Sequence, residues 1–291
     1  MLYLLLSVLS SVVLGFLFKL FPKYGVHTFQ AIIVNYFVCV LCGWVALGDF
    51  PVHAGILEEN WFPYAVVLGL LFVTTFNFAA ITFQRFGMTV GAVMQKMSIV
   101  ISVTYFIIVF SESTATLKIA GIILALVAIL LTNLRGKTNS SLVLQTPNRY
   151  LIYPVLTLLL SGVIEILLFK VEQISAPPAN VRFISTLFGM AALSGFAIML
   201  PALISKKITW NPHNITAGIL LGIPNFFSIY FLLKAVGIGW EGSVVFPVNN
   251  VATIAVSTLV AIWIFRESLT KLNWLGVLFA LTSIILIMLG N

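Results

Sequence analysis

Charge is what this sequence lacks most. Only 8% of its 291 residues are Asp, Glu, Lys or Arg, where a soluble domain carries about 25%. A water-facing surface needs that charge, so lipid is the expected solvent for most of the chain. Histidine is scarce as well. His27, His53 and His213 are scattered, with no His-Glu-x2-His motif and no Gly-x-Ser-x-Gly elbow. No catalytic constellation is present, and an enzyme is not expected. There is no Gly-x4-Gly-Lys-Ser/Thr loop and no loop long enough for a nucleotide domain, so nothing suggests an ATP-driven pump. The only two cysteines, Cys39 and Cys42, read as small apolar packing residues. They make neither a metal spacing nor a disulfide framework. No metal and no cofactor is expected.

What the sequence has instead is long apolar runs. It is 61% hydrophobic, with a mean hydropathy of +1.14. Backbone N–H and C=O groups in lipid must be satisfied within the protein, so only helices or closed barrels span. Barrel strands are short and alternate apolar with polar residues. Runs such as Ile119 to Leu131 and Leu272 to Leu289 do neither. A span needs roughly 20 apolar residues. Ten spans are predicted, at 2–20, 27–48, 62–84, 88–110, 115–134, 150–171, 179–204, 215–236, 243–265 and 271–290. Breaks fall at turn chemistry such as Phe21-Pro22-Lys23-Tyr24-Gly25, Ala176-Pro177-Pro178 and Asn211-Pro212. The first span lacks a basic start and a cleavage site, and reads as a retained helix rather than a signal peptide.

Lys and Arg set the expected orientation. One side collects Lys19, Lys23, Arg85, Arg135, Lys137, Arg149, Lys206, Lys207, Arg266 and Lys271, and the other only Lys118, Lys170, Arg182 and Lys234. The first set is expected in the cytoplasm, which puts both termini outside. The +7 net charge is thereby explained, and no nucleic-acid partner is expected.

The chain also repeats itself. At a shift of 155, Ile99 matches Ile254, Ser102 matches Ser257, Glu112-Ser113 matches Glu267-Ser268, and Gly121, Ala125 and Leu126 match Gly276, Ala280 and Leu281. Asn77-Phe78 matches Asn225-Phe226 at 148, and Ser10 and Phe18 match Ser161 and Phe169 at 151. The predicted organisation is a first five-helix repeat at 1–134, a polar linker at 135–148 and a second repeat at 149–291. Five is odd, so the second half enters the membrane from the opposite side. The expected fold is an all-α membrane protein of ten transmembrane helices in two inverted five-helix repeats. Secondary transporters use this device, with the site near the midplane.

Two five-helix halves, each with a Glu-Ser turn and then a Leu-x3-Gly-x3-Ala-Leu helix, resemble the drug/metabolite transporter superfamily, EamA type. The resemblance covers nearly the whole chain. It implies a transporter of small metabolites, amino acids or drugs in the cell's inner membrane, often exchanging protons. Arg182 and Pro247 fit the family's pattern, whereas Gln30-Ala31 and Ala92 stand where the first half would repeat them. The resemblance implies cytoplasmic termini, against the charge count. Small multidrug transporters of the same superfamily carry an essential Glu in their first helix, and span six, which holds Glu165, is the repeat counterpart of a first helix. The register to Lys170 differs from that pattern.

Polar residues inside spans line cavities or cross-link helices. Gln95, Ser98 and Ser102 in span four, and Asn250, Thr253 and Ser257 in span nine, are each spaced as one helix face and occupy identical repeat positions. They are expected to line a polar cavity or to bond between helices. Lys96 lies just before the centre of span four, where a charge costs roughly 2.5–3.5 kcal/mol. It is a candidate for an anionic substrate group such as a carboxylate, or for a structural ion pair. Glu165 is a candidate proton carrier or a buried acid bonded to hydroxyls. A direct Lys96–Glu165 bond is not expected, since their predicted depths differ by roughly 12 Å at about 1.5 Å per residue. Asn77, Asn225 and Asn249 complete the candidate substrate- or ion-binding set, with Pro224 and Pro247 expected to free carbonyls beside them. Glu112 is expected to favour the N-terminus of the next helix. The faces around Gly121 and Gly276 could pack within the monomer or form a homodimer. The expected function is a secondary transporter of a small-molecule substrate, with alternating access and possible proton coupling. The alternatives are a membrane scaffold or a membrane-embedded enzyme.

Overall fold

A computed structural model describes residues 1–51, 55–86, 94–133, 150–175, 179–205, 211–265 and 270–290. The predicted linker 135–148, Glu267, Ser268 and His53 lie outside them. The described residues form helices and no strand. The α-helices are α1 (Leu2–Leu20), α2 (Thr28–Leu47), α3 (Phe62–Phe86), α4 (Ile99–Val109), α5 (Thr116–Asn133), α6 (Ile152–Ile174), α7 (Val181–Ile204), α8 (Pro212–Gly237), α9 (Gly242–Phe265) and α10 (Lys271–Leu289). Short 3-10 turns cover Phe21–Tyr24 and Ile56–Glu58.

Local chemistry sets several ends. Asn180 caps α7 by accepting from the N–H groups of Arg182 and Phe183. Asn211 caps α8, with Pro212 in the first turn, where its missing N–H costs nothing. Thr270 and Asn273 form a reciprocal capping box on α10. Gly48 ends α2 at φ 69°, a left-handed conformation open to glycine.

Among the described residues seven segments are long and apolar enough to cross a bilayer: Thr28–Leu47, Phe62–Ala79, Ile152–Ile174, Val181–Pro201, Pro212–Gly237, Gly242–Val260 and Lys271–Leu289. The other three apolar helices, Leu2–Phe18, Met94–Val109 and Thr116–Thr132, are shorter. Large apolar side chains such as Val45, Ile108, Ile204 and Trp263 face outward, while Asn35, Ser102, Asn225, Asn250 and Ser283 are buried. A water-soluble protein distributes these the other way. Lipid chains cover such a surface at no cost.

The predicted continuous span 88–110 differs from the structure. Its described part runs as helix from Met94 to Lys96, lapses at Met97 and Ser98, and resumes at Ile99. The Ser98 hydroxyl donates to the Gln95 carbonyl at 2.7 Å, competing for an acceptor the helix would use. The N–H groups of Val100 and Ile101 then reach back only three residues, to the carbonyls of Met97 and Ser98. That is the tight 3-10 pattern, often found at functional breaks.

The chain packs as two compact units. Unit 1 takes residues 1–74 and 167–238, and unit 2 takes residues 75–166 and 239–291. Each therefore draws on both sequence halves. In unit 1, α8 packs along α2 and α1, and α2 also packs on α7. Gly218 and Gly222 permit the close approach of α8 to α2: a Cβ on either would stand 2.5 Å from the Cβ of Val34 or Val38. In unit 2, α5 and α10 pair along their length, and α9 packs on α4, α5 and α10. A Cβ on Gly121 would meet Ile287 at 2.8 Å. Both small-residue faces are thus spent within unit 2, the first of the two alternatives the sequence offered.

Candidate functional site

Unit 2 holds a connected chain of charged and polar side chains from three helices. The turn before α4 supplies Lys96 and Ser98, α4 supplies Ser102, α6 supplies Glu165 and α9 supplies Asn250. The Lys96 ammonium donates to Asn250 Oδ1 at 3.0 Å. Asn250 Nδ2 donates to Glu165 Oε1 at 2.9 Å. Ser102 Oγ donates to Glu165 Oε2 at 2.6 Å, and Ser98 Oγ reaches Oε1 at 3.3 Å. The carboxylate accepts from Ser102 and Asn250, with Ser98 sharing its one proton between it and the Gln95 carbonyl, and a single amide separates it from the ammonium.

The fold explains the assembly. Gly162, three residues before Glu165, lets α6 lie against α4; a Cβ there would stand 2.8 Å from Ile101 Cβ and 3.2 Å from the Ser98 carbonyl oxygen. That approach brings the Glu165 carboxylate within reach of both serines. Serines four apart lie on one helix face, and the tight turn keeps Ser98 aligned with Ser102. Asn250 is buried and uses both ends of its amide. Its orientation follows from charge: the oxygen faces the ammonium and the NH₂ faces the carboxylate.

Five of the sequence candidates therefore meet: Lys96, Ser98, Ser102, Glu165 and Asn250. Lys96 and Glu165 make no direct bond. Gln95 contributes its carbonyl, to Ser98. The Thr253 hydroxyl turns back to the Asn249 carbonyl at 2.7 Å. Ser257 is half-buried on α9, Asn249 is buried beside Asn250, and Asn77 is half-buried on α3. Asn225 belongs to a second cluster, in unit 1. There its Nδ2 donates to Asn35 Oδ1 at 3.0 Å, and Cys39 Sγ donates to the Gly222 carbonyl at 3.3 Å. Among the described residues the partners of that cluster lie on α2 and α8, which makes it a cross-link between those helices. Asn214 of α8 bonds Gln30 of α2 in the same way.

Two carboxylates depart from their expected roles. Glu112 does not serve the next helix. Its carboxylate accepts from the N–H groups of Gly242 and Ser243, both at 2.8 Å, at the start of α9. Glu241, counted only as a loop charge in the sequence, bonds Lys118 of α5 and the Ser113 N–H. Lys118 is fully buried. Arg182, another charge of that side, pairs with Asp49 at 3.2 Å. Charges engaged within the fold carry less weight in an orientation count. Burial pushes the Glu241 carboxyl up, but the Lys118 and Ser113 bonds and the Lys118 charge outweigh it and hold the group below the usual carboxylate range. No cluster of His, Cys, Asp and Glu able to hold a metal occurs among the described residues.

Long apolar helices, apolar side chains turned outward and polar side chains turned inward define a multi-pass α-helical membrane protein. Over 97% of its length the chain is 27% identical to an uncharacterized protein of Haemophilus influenzae, covering 95% of that protein. A crystal structure shares the fold at a TM-score of 0.77, with 12% identity, over 99% of this chain and 96% of that one. No protein-family model matches the chain.

Proposed function

We propose that this protein is a secondary transporter of a small polar metabolite, working by alternating access and coupled to protons through Glu165. The observation that carries the reading is the Lys96–Asn250–Glu165 chain within apolar helices. Ionisable residues in a span are costly and mark substrate or ion pathways. The lapse of helix at Met97 and Ser98, beside these groups, supports it further, because transporters bind ligands at interrupted helices. On this reading the shorter apolar helices also span. The ten helices then form two inverted five-helix repeats of the EamA type in the inner membrane, and the protein is not an enzyme.

The test is flux. Purified protein in liposomes is offered a panel of radiolabelled metabolites, with and without a pH gradient. The reading expects saturable uptake that the gradient accelerates. Absence of flux for every compound with folded protein would sink it. Flux that keeps its pH dependence in Glu165→Gln would remove that residue from the coupling.

A further inference from the structure

The hydrogen bonding of the site is lopsided. Glu165 already accepts from Ser102 and Asn250, with the Ser98 hydroxyl also within reach at 3.3 Å. An ammonium carries three donors, and Lys96 spends one of them, on Asn250. Its other two have no partner among the described residues. One turn before Glu165, Ser161 is buried and its hydroxyl has no partner either. The unspent capacity at Lys96 is therefore donor capacity on a positive charge. A cationic ligand would meet a competing ammonium and a carboxylate already served. An anionic ligand would meet an ammonium with two donors to give.

From this asymmetry we propose that the site binds a small monocarboxylate on Lys96 together with a proton on Glu165, so that the pair moves as anion–proton symport. The direction of coupling rests on the transporter reading above; the joint binding does not. In the empty site one positive and one negative charge cancel across the Asn250 amide. A bound carboxylate leaves one negative charge in excess, in surroundings where unbalanced charge is costly. A proton from water joining Glu165 restores neutrality. One anion and one proton enter, and the net charge does not change. Among the described residues the other charges of unit 2 do not supply this balance, and Glu112 is taken up by the Gly242 and Ser243 N–H groups. α9 has no ionisable side chain from Gly242 to Phe265, and α4 adds only Tyr105. On α6 the other ionisable residue of unit 2 is Tyr153, whose ring lies tilted against Phe78. Lys118 is already bound to Glu241. Linkage is reciprocal, so acidification tightens anion binding by the factor by which the anion favours the proton.

The experiment uses the whole protein in detergent. Acetate, lactate, pyruvate and benzoate are added at fixed pH, with methylamine, choline and putrescine as the cationic arm. The proposal expects at least one carboxylate to raise the melting temperature saturably, more strongly at lower pH, and no amine to do so. Adding that carboxylate to weakly buffered protein should take up roughly one proton per chain. Lys96→Gln, which keeps a donor for Asn250, should lose the anion-dependent shift. Glu165→Gln should bind the anion without proton uptake. Stabilisation by an amine, by no carboxylate, or by a carboxylate without proton uptake in the wild type overturns the proposal. In liposomes the two readings separate. Joint binding without flux removes transport and leaves the site; proton-driven flux of a cation removes this inference and leaves the transporter.

Discussion

Gly276 of α10 lies so close to Thr132 of α5 that a Cβ built on it would stand 2.6 Å from the Thr132 amide nitrogen. Backbone is the obstacle, and backbone cannot rotate out of the way. Gly276→Ala is therefore expected to lower stability by about 1–3 kcal/mol, the usual range for overpacking. Gly15 of α1 has nothing within 4 Å of its would-be Cβ. Gly15→Ala should leave the melting temperature unchanged or slightly raised. Thermal melting of both variants in detergent checks the contrast; equal effects would mean that the α5–α10 approach is looser than described.

The Glu241–Lys118 bond predicts a pH dependence. The Glu241 carboxyl sits below its usual range in the folded protein. Its contribution is therefore present above the unfolded value of about 4.3 and is lost as pH falls through the folded value. The melting temperature should drop across that acid window in the wild type and drop less in Glu241→Gln. At neutral pH that variant should itself melt lower, because the buried Lys118 ammonium is left facing a neutral amide. Lys118→Met in the same background should recover part of the loss.

Glu112 joins the end of α4 to the start of α9 by accepting from two backbone N–H groups and from the Ser243 hydroxyl. Removing a side-chain cap costs about 0.5–2 kcal/mol. Glu112→Ala should fall in that range, with faster amide exchange at Gly242 and Ser243 and not at the start of α5. Faster exchange at α5 instead would restore the role expected from sequence.

Asn225 and Asn35 cross-link α8 to α2 at 3.0 Å. Interhelical bonds of this kind in membranes contribute about 0.6 to 2 kcal/mol. Asn225→Leu should lose a similar amount of stability. If the cluster is a cross-link and not part of the site, the variant keeps its carboxylate-induced melting shift. Loss of that shift in folded Asn225→Leu protein would contradict the cross-link reading.

Much of the helix pattern was legible in the sequence. The boundaries predicted for 2–20 and 243–265 differ by at most one residue from those of α1 and α9, because apolar length and turn residues fix where a membrane helix starts and stops. The lapse at Met97 and Ser98 was not legible. Nothing in Gln95-Lys96-Met97-Ser98 breaks a helix by propensity; the lapse coincides with the Ser98 hydroxyl turned to the Gln95 carbonyl, a contact that depends on how α4 packs. Serine, asparagine and lysine could be picked out as costly in lipid, but cost alone does not name partners. Asn225 looked equivalent to Asn77 by repeat position, yet its neighbour is Asn35, across α2.

The sequence by itself determined the solvent. Too little charge and too many apolar residues leave lipid as the medium, and lipid forces the backbone into helices. It also determined which residues would be expensive there. Tertiary structure alone decided which of them would be neighbours. Lys96 and Glu165 do not bond directly, and Asn250, 85 residues beyond Glu165, bonds to both. A hydrogen bond depends on distances of a few tenths of an ångström, and such distances are set by how α4, α6 and α9 pack. No helical period contains that information.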